Sequence, residues 1–242
     1  MQRVISGELT AAEAKRIGFP WSPELVERSR RSVGATIEAA RAALDEGISA
    51  NLAGGTHHAF ADQGEGFCVF NDVAVAIRTL QHEQRITRAV VIDTDVHHGN
   101  GTAKIFADDS NVFTFSIHAE KNYPLRKPPS SLDIPLPNGT GDREYLEALR
   151  RGLDSALAPS FQPTIAFFVA GADPFVDDRY GRLGLTKEGL EQRDQKVIQR
   201  CRNLKIPVAI AMAGGYADCV EDIVSIHETT IRLALRRKQS ER

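Results

Sequence analysis

Nine consecutive residues, Asp93-Thr94-Asp95-Val96-His97-His98-Gly99-Asn100-Gly101, bring together two carboxylates, two imidazoles and a carboxamide. Charged groups at this density are costly to bury unless they are paired or bound to a metal. Asp95 and His97 are spaced D-x-H, and alternation in an extended segment puts i and i+2 on the same side. Both can therefore bind one ion, with Asp173 of Gly171-Ala172-Asp173 as a third ligand from a distant part of the chain. Three ligands of O, N and O type leave a position open for water, the arrangement of a catalytic zinc. Two carboxylates make the set hard enough for Fe2+ to be a rival. Either ion polarises a carbonyl, and a bound water has its pKa lowered to about 7.

Hydrolysis also requires proton transfer and a donor to the oxyanion. His57 and His58, after Gly54-Gly55-Thr56, supply imidazoles that titrate near neutrality. Asp93 and Asn100 are placed to orient two imidazoles through their other ring nitrogens. Tyr216, after Gly214-Gly215, can donate to an oxyanion, a contact worth about a hundred- to a thousandfold in rate. Taken singly, these signals are bland: a D-x-H in a surface loop, an exposed His-His pair, a Gly-Gly-Tyr turn. His82, His118 and His227 have no partner cluster nearby in sequence and are read as solvated or satisfied. Cys68 is read as a small buried residue beside the pocket.

Placement gives the set its weight. Apolar runs over 48–53, 89–92, 164–170 and 207–212 read as strands. The first two lead into His57-His58 and the Asp93 cluster, and the last two into Asp173 and Tyr216. In a parallel sheet those ends share one edge, so four distant clusters converge. A further strand is expected over 112–117. Helices are expected over 10–16 (with a Thr10–Glu13 capping box), from Ser22-Pro23 to near Gly47, and over 71–81, 142–158, 186–204 and about 219–237. The basic end of the last helix suits a helix C-terminus. Residues 121–140, rich in Pro, Ser and Gly, read as a long loop.

The 242 residues suffice for one α/β domain spanning 1–242. A net charge of −2 offers no basic excess for nucleic acid. No run approaches the roughly 18 apolar residues of a membrane span. Three widely spaced cysteines, without a signal-like N-terminus, point to a reducing cytoplasm.

At this point the chain resembles the zinc-dependent histone deacetylases and acetylpolyamine amidohydrolases. The matching segments are Gly54 to Ala59, Gly66-Phe67-Cys68-Val69-Phe70-Asn71-Asp72, Asp93 to Gly101, Gly171-Ala172-Asp173 and Gly214-Gly215-Tyr216, in the family's order. Gly18-Phe19-Pro20-Trp21-Ser22 and the stretch from Asp178 to Leu185 look most like a class IV-like bacterial branch. The resemblance implies a three-layer arginase-like α/β fold with a central, mostly parallel sheet flanked by helices. It implies hydrolysis of an N-acyl amide, such as acetyl-lysine in a protein or an acetylated amine. It assigns zinc to Asp95, His97 and Asp173. His58 becomes general base and acid, with His57 an electrostatic partner held by Asp93, and Tyr216 becomes the oxyanion donor. Gly66 and Phe67 would line the acyl channel, facing Tyr123. A structural potassium near Asp93, Asp95, His97, Ser116 and Ile117 is also implied.

Two departures from the family pattern stand out. Many relatives carry Asp where Asn100 stands, and a neutral partner raises the pKa of His58 less than a carboxylate would. Relatives also begin with a strand and loop some tens of residues ahead of Arg3-Val4. Without them the sheet is expected to be one strand short and the channel to lack one wall, with an edge left unpaired. The rival readings are a non-catalytic acyl-ligand binder and a two-metal ureohydrolase. The second needs further carboxylates, and only one Asp follows Gly171-Ala172 before Pro174.

Overall fold

The computed structural model describes residues 2–239, with side chains through Leu235. The elements follow the order α1 (Gln2–Ser6), α2 (Ala11–Ile17), α3 (Pro23–Glu46), β1 (Ile48–Asn51), α4 (Asp72–His82), β2 (Ala89–Asp93), α5 (Asn100–Ile105), β3 (Val112–Ala119), β4 (Leu132–Leu136), α6 (Asp142–Ala156), β5 (Ile165–Val169), α7 (Lys187–Asn203), β6 (Val208–Ala211) and α8 (Val220–Gln239). All strand pairs are parallel, in the order β1-β6-β5-β2-β3-β4.

The layers follow from the apolar strands. β2, β5 and β6 are buried along their whole length, so alternate residues feed two cores. Val90, Ile92, Ala166, Phe168, Val208 and Ile210 face one core, completed by Tyr145, Leu149 and Leu153 of α6, Leu190 and Val197 of α7 and Ile226 of α8. Ala89, Val91, Ile165, Phe167 and Ala209 face the other, with Ala40 and Ala43 of α3 and Val73, Ile77 and Leu80 of α4. The result is the expected three-layer fold with a central parallel sheet between helices.

Local chemistry sets the helix ends. Thr10 and Glu13 form the capping box of α2. Ser22 caps α3 ahead of Pro23, and Asn71 and Thr186 accept from the first turns of α4 and α7. Three elements depart from expectation. The stretch 121–140 is not all loop: β4 lies inside it as an edge strand pairing with β3, its central Pro135 tolerated at the edge. Helix α5 begins at Asn100, inside the polar cluster, and α1 precedes the first expected helix. The side chains of the basic end of α8 lie outside the described residues.

The strand order reverses between β2 and β5. From β2 the chain moves outward to β3 and β4, and from β5 it moves the opposite way to β6. Ligands of open α/β sheets bind in the crevice at such a switch point. Here the segment after β2 carries Asp95 and His97, and the segment after β5 carries Asp173. Thr94 joins them, its N–H and its hydroxyl both donating to the Val169 carbonyl at 3.0 Å.

Candidate active site

Beyond β2 the backbone folds so that its own amides receive the carboxylates. Asp93 Oδ1 accepts from the Asp95 N–H at 3.2 Å, and Asp95 Oδ1 accepts from the His97 N–H at 2.9 Å. Asp173 Oδ1 accepts from the Val96 N–H at 2.9 Å and so locks the β5 end to the β2 end. The Gly214 N–H donates to Asp95 Oδ2 at 3.0 Å and draws in the turn after β6. Only glycine fits there, because a Cβ on Gly214 would stand 2.2 Å from Asp173 Oδ2.

Ligand atoms of Asp95, His97 and Asp173 all lie within 4.8 Å of one another. His97 Nδ1 is 3.0 Å from Asp95 Oδ1 and 3.2 Å from Asp173 Oδ2. Asp173 is fully buried, and its Oδ2 accepts no hydrogen bond of good geometry. Two buried carboxylates around one imidazole nitrogen, with an orphaned oxygen among them, fit a cation. The electrostatics agree. Burial, then the charge of Asp95, pushes the Asp173 carboxyl up to about 7. Burial opposes charge on His97, but Asp173 and Asp95 outweigh it and lift the imidazole to about 10.

The imidazole pair stands beside this cluster, carried by the Gly54–His58 loop. Asp72, at the start of α4, holds that loop. Its carboxylate accepts from Gly55 N–H at 3.0 Å, Thr56 N–H at 2.8 Å and the hydroxyls of Thr56 and Thr36, each at 2.6 Å. His57 Nδ1 lies 2.7 Å from Asp93 Oδ2, and His58 Nδ1 lies 2.6 Å from Asn100 Oδ1. The two Nε2 atoms face each other at 3.2 Å. Burial disfavours charge on His57, yet Asp93 and Asp95 together lift it to about 9. Burial and then the neighbouring charge of His57 drive His58 well below the usual histidine range. One imidazole is therefore held charged and the other neutral.

A cavity of 460 Å³ opens over these groups. His57, His58, Asp95, His97, Phe67 and Tyr216 are among its walls. A second opening of 430 Å³ shares His58, Gly66, Phe67, His97 and Tyr216 and is bounded by Tyr123 and Tyr180. Gly66 lets the chain pass close to the imidazole: a Cβ there would lie 2.7 Å from His58 Cδ2 and 3.0 Å from Tyr123 Cε1. The Tyr123 ring stands edge-on to His58, with centroids 4.9 Å apart. Tyr216 packs against Tyr180 and Phe67, and burial followed by the charges of Asp95 and Asp173 raises its phenol above the ordinary range. Cys68 is buried, its Sγ donating to the Gly66 carbonyl at 3.3 Å. A larger cavity of 680 Å³, between α1, α2 and α4, holds none of these groups.

One expectation about the histidines is corrected, and one is met with an addition. His118 is not isolated: it stacks edge-on against His98 and groups with Asp133 of β4, a strand that pattern reading missed. His98 Nε2 lies 3.1 Å from Asp133 Oδ1, and His118 Nδ1 lies 3.0 Å from Ser116 Oγ. Burial, then the charge of His98, pushes His118 down to about 3, and the Lys127 ammonium adds to the effect. His227 is not satisfied, since its buried Nδ1 has no hydrogen-bond partner.

Sequence reasoning also missed Glu65, Asp178, Tyr180 and Arg193. Arg193 is fully buried, donates to the Gly171 carbonyl at 2.5 Å and pairs with Asp194, bracing the β5 end from α7. Adjacent Arg-Asp on an otherwise apolar helix face was the available signal.

The Histone deacetylase domain family model matches residues 4–230. The chain belongs to the histone deacetylase family. An uncharacterized protein of Picosynechococcus sp. is 45% identical over 94% of this chain and 76% of its own length. Histone deacetylase 2 of Arabidopsis thaliana is 34% identical over 80% of this chain. The crystal structure of an acetylpolyamine aminohydrolase from Burkholderia pseudomallei superposes with a TM-score of 0.70 at 26% identity, covering 84% of this chain. The chain spans 53% of the Arabidopsis protein and 60% of the Burkholderia one. Family membership and the ligand cluster together support metal-dependent amide hydrolysis.

Proposed function

We propose that this protein hydrolyses an N-acyl amide, with acetyl-lysine in a protein or an acetylated small amine as the substrate class. The observation that carries the reading is the meeting of Asp95, His97 and Asp173 beside an imidazole pair whose outer nitrogens are held by Asp93 and Asn100. The names of the relatives, a histone deacetylase and an acetylpolyamine aminohydrolase, support the substrate class.

Zinc, with Fe2+ as the rival, would be held by Asp95, His97 and Asp173 and would supply Lewis acidity and an acidified water. The chain's own groups do the rest. Neutral His58 takes the proton of the attacking water at Nε2 as the C–O bond forms. Charged His57, held by Asp93, offsets negative charge in the transition state. The Tyr216 hydroxyl donates to the developing oxyanion. When the C–N bond breaks, His58 returns its proton to the leaving amine. Gly66, Phe67 and Tyr123 shape a narrow passage for the acyl-amine. A structural potassium at Asp93, Asp95, His97, Ser116 and Ile117, a class IV-like branch and a cytoplasmic setting belong to the same reading.

The test is metal analysis of purified protein alongside a panel of acetyl-lysine peptides, acetylpolyamines and long-chain acyl-lysines. About one equivalent of divalent metal and turnover of at least one substrate are expected. Folded, metal-loaded protein that cleaves none of them would make it an acyl-ligand binder.

A further inference from the structure

Glu65 lies between two glycines on a tight turn. Its N–H donates to the Cys68 carbonyl at 2.9 Å, and the Cys68 N–H returns the bond to the Glu65 carbonyl at 2.9 Å. Its carboxylate oxygen Oε1 accepts from Asn100 Nδ2 at 3.1 Å and from the Tyr123 hydroxyl at 2.5 Å. Asn100 Oδ1, at the other end of the same amide, meets His58 Nδ1 at 2.6 Å. A continuous chain thus runs from Tyr123 through Glu65 and Asn100 to His58.

A carboxamide has one accepting end and one donating end, and the imidazole follows whichever end faces it. If the NH2 faced His58, Nδ1 would have to accept and the ring proton would sit on Nε2. That tautomer has no lone pair on Nε2 and cannot take a proton there. A carboxylate at position 100 would select the Nδ1–H tautomer unaided, but an amide does not. The charged His57 ring, whose Nε2 faces His58 Nε2 at 3.2 Å, favours a free lone pair there, and Glu65 holds the Asn100 amide in the matching orientation. As a carboxylate it only accepts, so it draws the NH2 of Asn100 toward itself and turns Oδ1 to the imidazole.

We infer that Glu65 is a positioning residue for His58: by orienting the Asn100 amide it works with His57 to hold the Nδ1–H tautomer and leave Nε2 free as the base. Its effect on turnover rests on the function proposed above, whereas the tautomer does not.

The experiment is long-range 1H–15N NMR of the metal-loaded, histidine-labelled protein, with steady-state kinetics on an acetyl-lysine reporter. His58 carries its proton on Nδ1 in the unmodified protein, and a proton on Nε2 would overturn the inference without any variant. Glu65→Leu should release His58 into mixed tautomers and lower kcat by about ten- to a hundredfold. Metal content should stay within about twofold, since this turn holds no metal ligand, whereas KM can rise because Glu65 also holds the Tyr123 hydroxyl. Glu65→Gln, whose carbonyl oxygen can still face Asn100, should restore the tautomer and most of kcat. Asn100→Asp added to Glu65→Leu should do the same, because a carboxylate needs no third group. An unchanged His58 tautomer in Glu65→Leu, or a kcat loss that neither rescue reverses, would overturn the inference. Protein without turnover but with these tautomer shifts would count against the deacylase reading alone.

Discussion

Asp178 grips the backbone of Tyr216: its Oδ2 accepts the Tyr216 N–H at 2.5 Å, while Oδ1 accepts the N–H groups of Tyr180 and Gly181 at 2.9 and 2.8 Å. Arg179 Nε donates to the Tyr216 carbonyl at 3.0 Å, so both backbone polar groups of this tyrosine are held. One carboxylate therefore ties the loop after β5 to the turn after β6. Asp178→Ala should lower kcat about tenfold or more with metal content unchanged, because an orphaned buried donor costs about 1–3 kcal/mol and the turn will shift to avoid that cost. Kinetics and metal analysis on the same preparation check it.

Tyr216→Phe keeps the ring against Tyr180 and Phe67 and removes only the hydroxyl. Turnover should fall by about a hundred- to a thousandfold while metal content and melting temperature stay near the unmodified values. Equal loss of metal and turnover would make Tyr216 a structural residue.

Asp173→Ala removes the ligand that bridges β5 to β2, together with its bond to the Val96 N–H. Metal affinity should fall by more than the roughly 10–100-fold typical of an outer-shell partner. Equilibrium dialysis measures it, and unchanged content would show that the third ligand lies elsewhere.

Chelated protein should lose stability as pH rises. The folded-state pKa values of His97, about 10, and Asp173, about 7, both lie above the unfolded values. Their stabilisation is complete below the unfolded pKa of each and is lost as pH passes the folded one. Asp95 runs the other way. Burial raises its carboxyl, but His57 and His97 outweigh that and hold it below the usual range, so its loss falls only in strong acid. Metal replaces these protons, so the gap in melting temperature between loaded and chelated protein should widen from pH 6 to pH 9. Paired melting curves test it.

His118 and His227 set an acid limb of their own. Burial first, then the charges of His98 and Arg193 respectively, pushes them down to about 3 and about 4. Their unfolded forms bind protons first, so stability falls as pH drops below about 6.5, by up to about 1.4 kcal/mol per unit for each. His227→Gln should flatten this limb relative to the unmodified protein in urea titrations at pH 5 and pH 7.

The strands that carry the chemistry were legible because they are short, apolar and followed within five residues by glycine or polar groups. β2, β5 and β6 have that form and were placed to within a residue or two. β4 was not, because Leu132-Asp-Ile-Pro-Leu lacks the pattern and is a strand only through its pairing with β3. The partners of His57 and His58 were expected from residue type, and the ligand set from D-x-H and Gly-Ala-Asp. Asp72, Asp178 and Glu65 were invisible as actors: a carboxylate next to a glycine, in a loop or at a helix start is common in any sequence.

The sequence by itself determined which groups are available: a D-x-H after one buried strand, an aspartate after another, two histidines and a tyrosine on glycine turns. Local pattern suffices there because apolar runs and glycines act over a few residues. Only the tertiary structure decided how these groups are charged and aimed. The switch between β2 and β5 sets the distance between Asp95 and Asp173, burial sets which imidazole holds a proton, and Glu65 sets which way the Asn100 amide turns. Those properties depend on contacts between residues 35 and more positions apart, and no local pattern carries them.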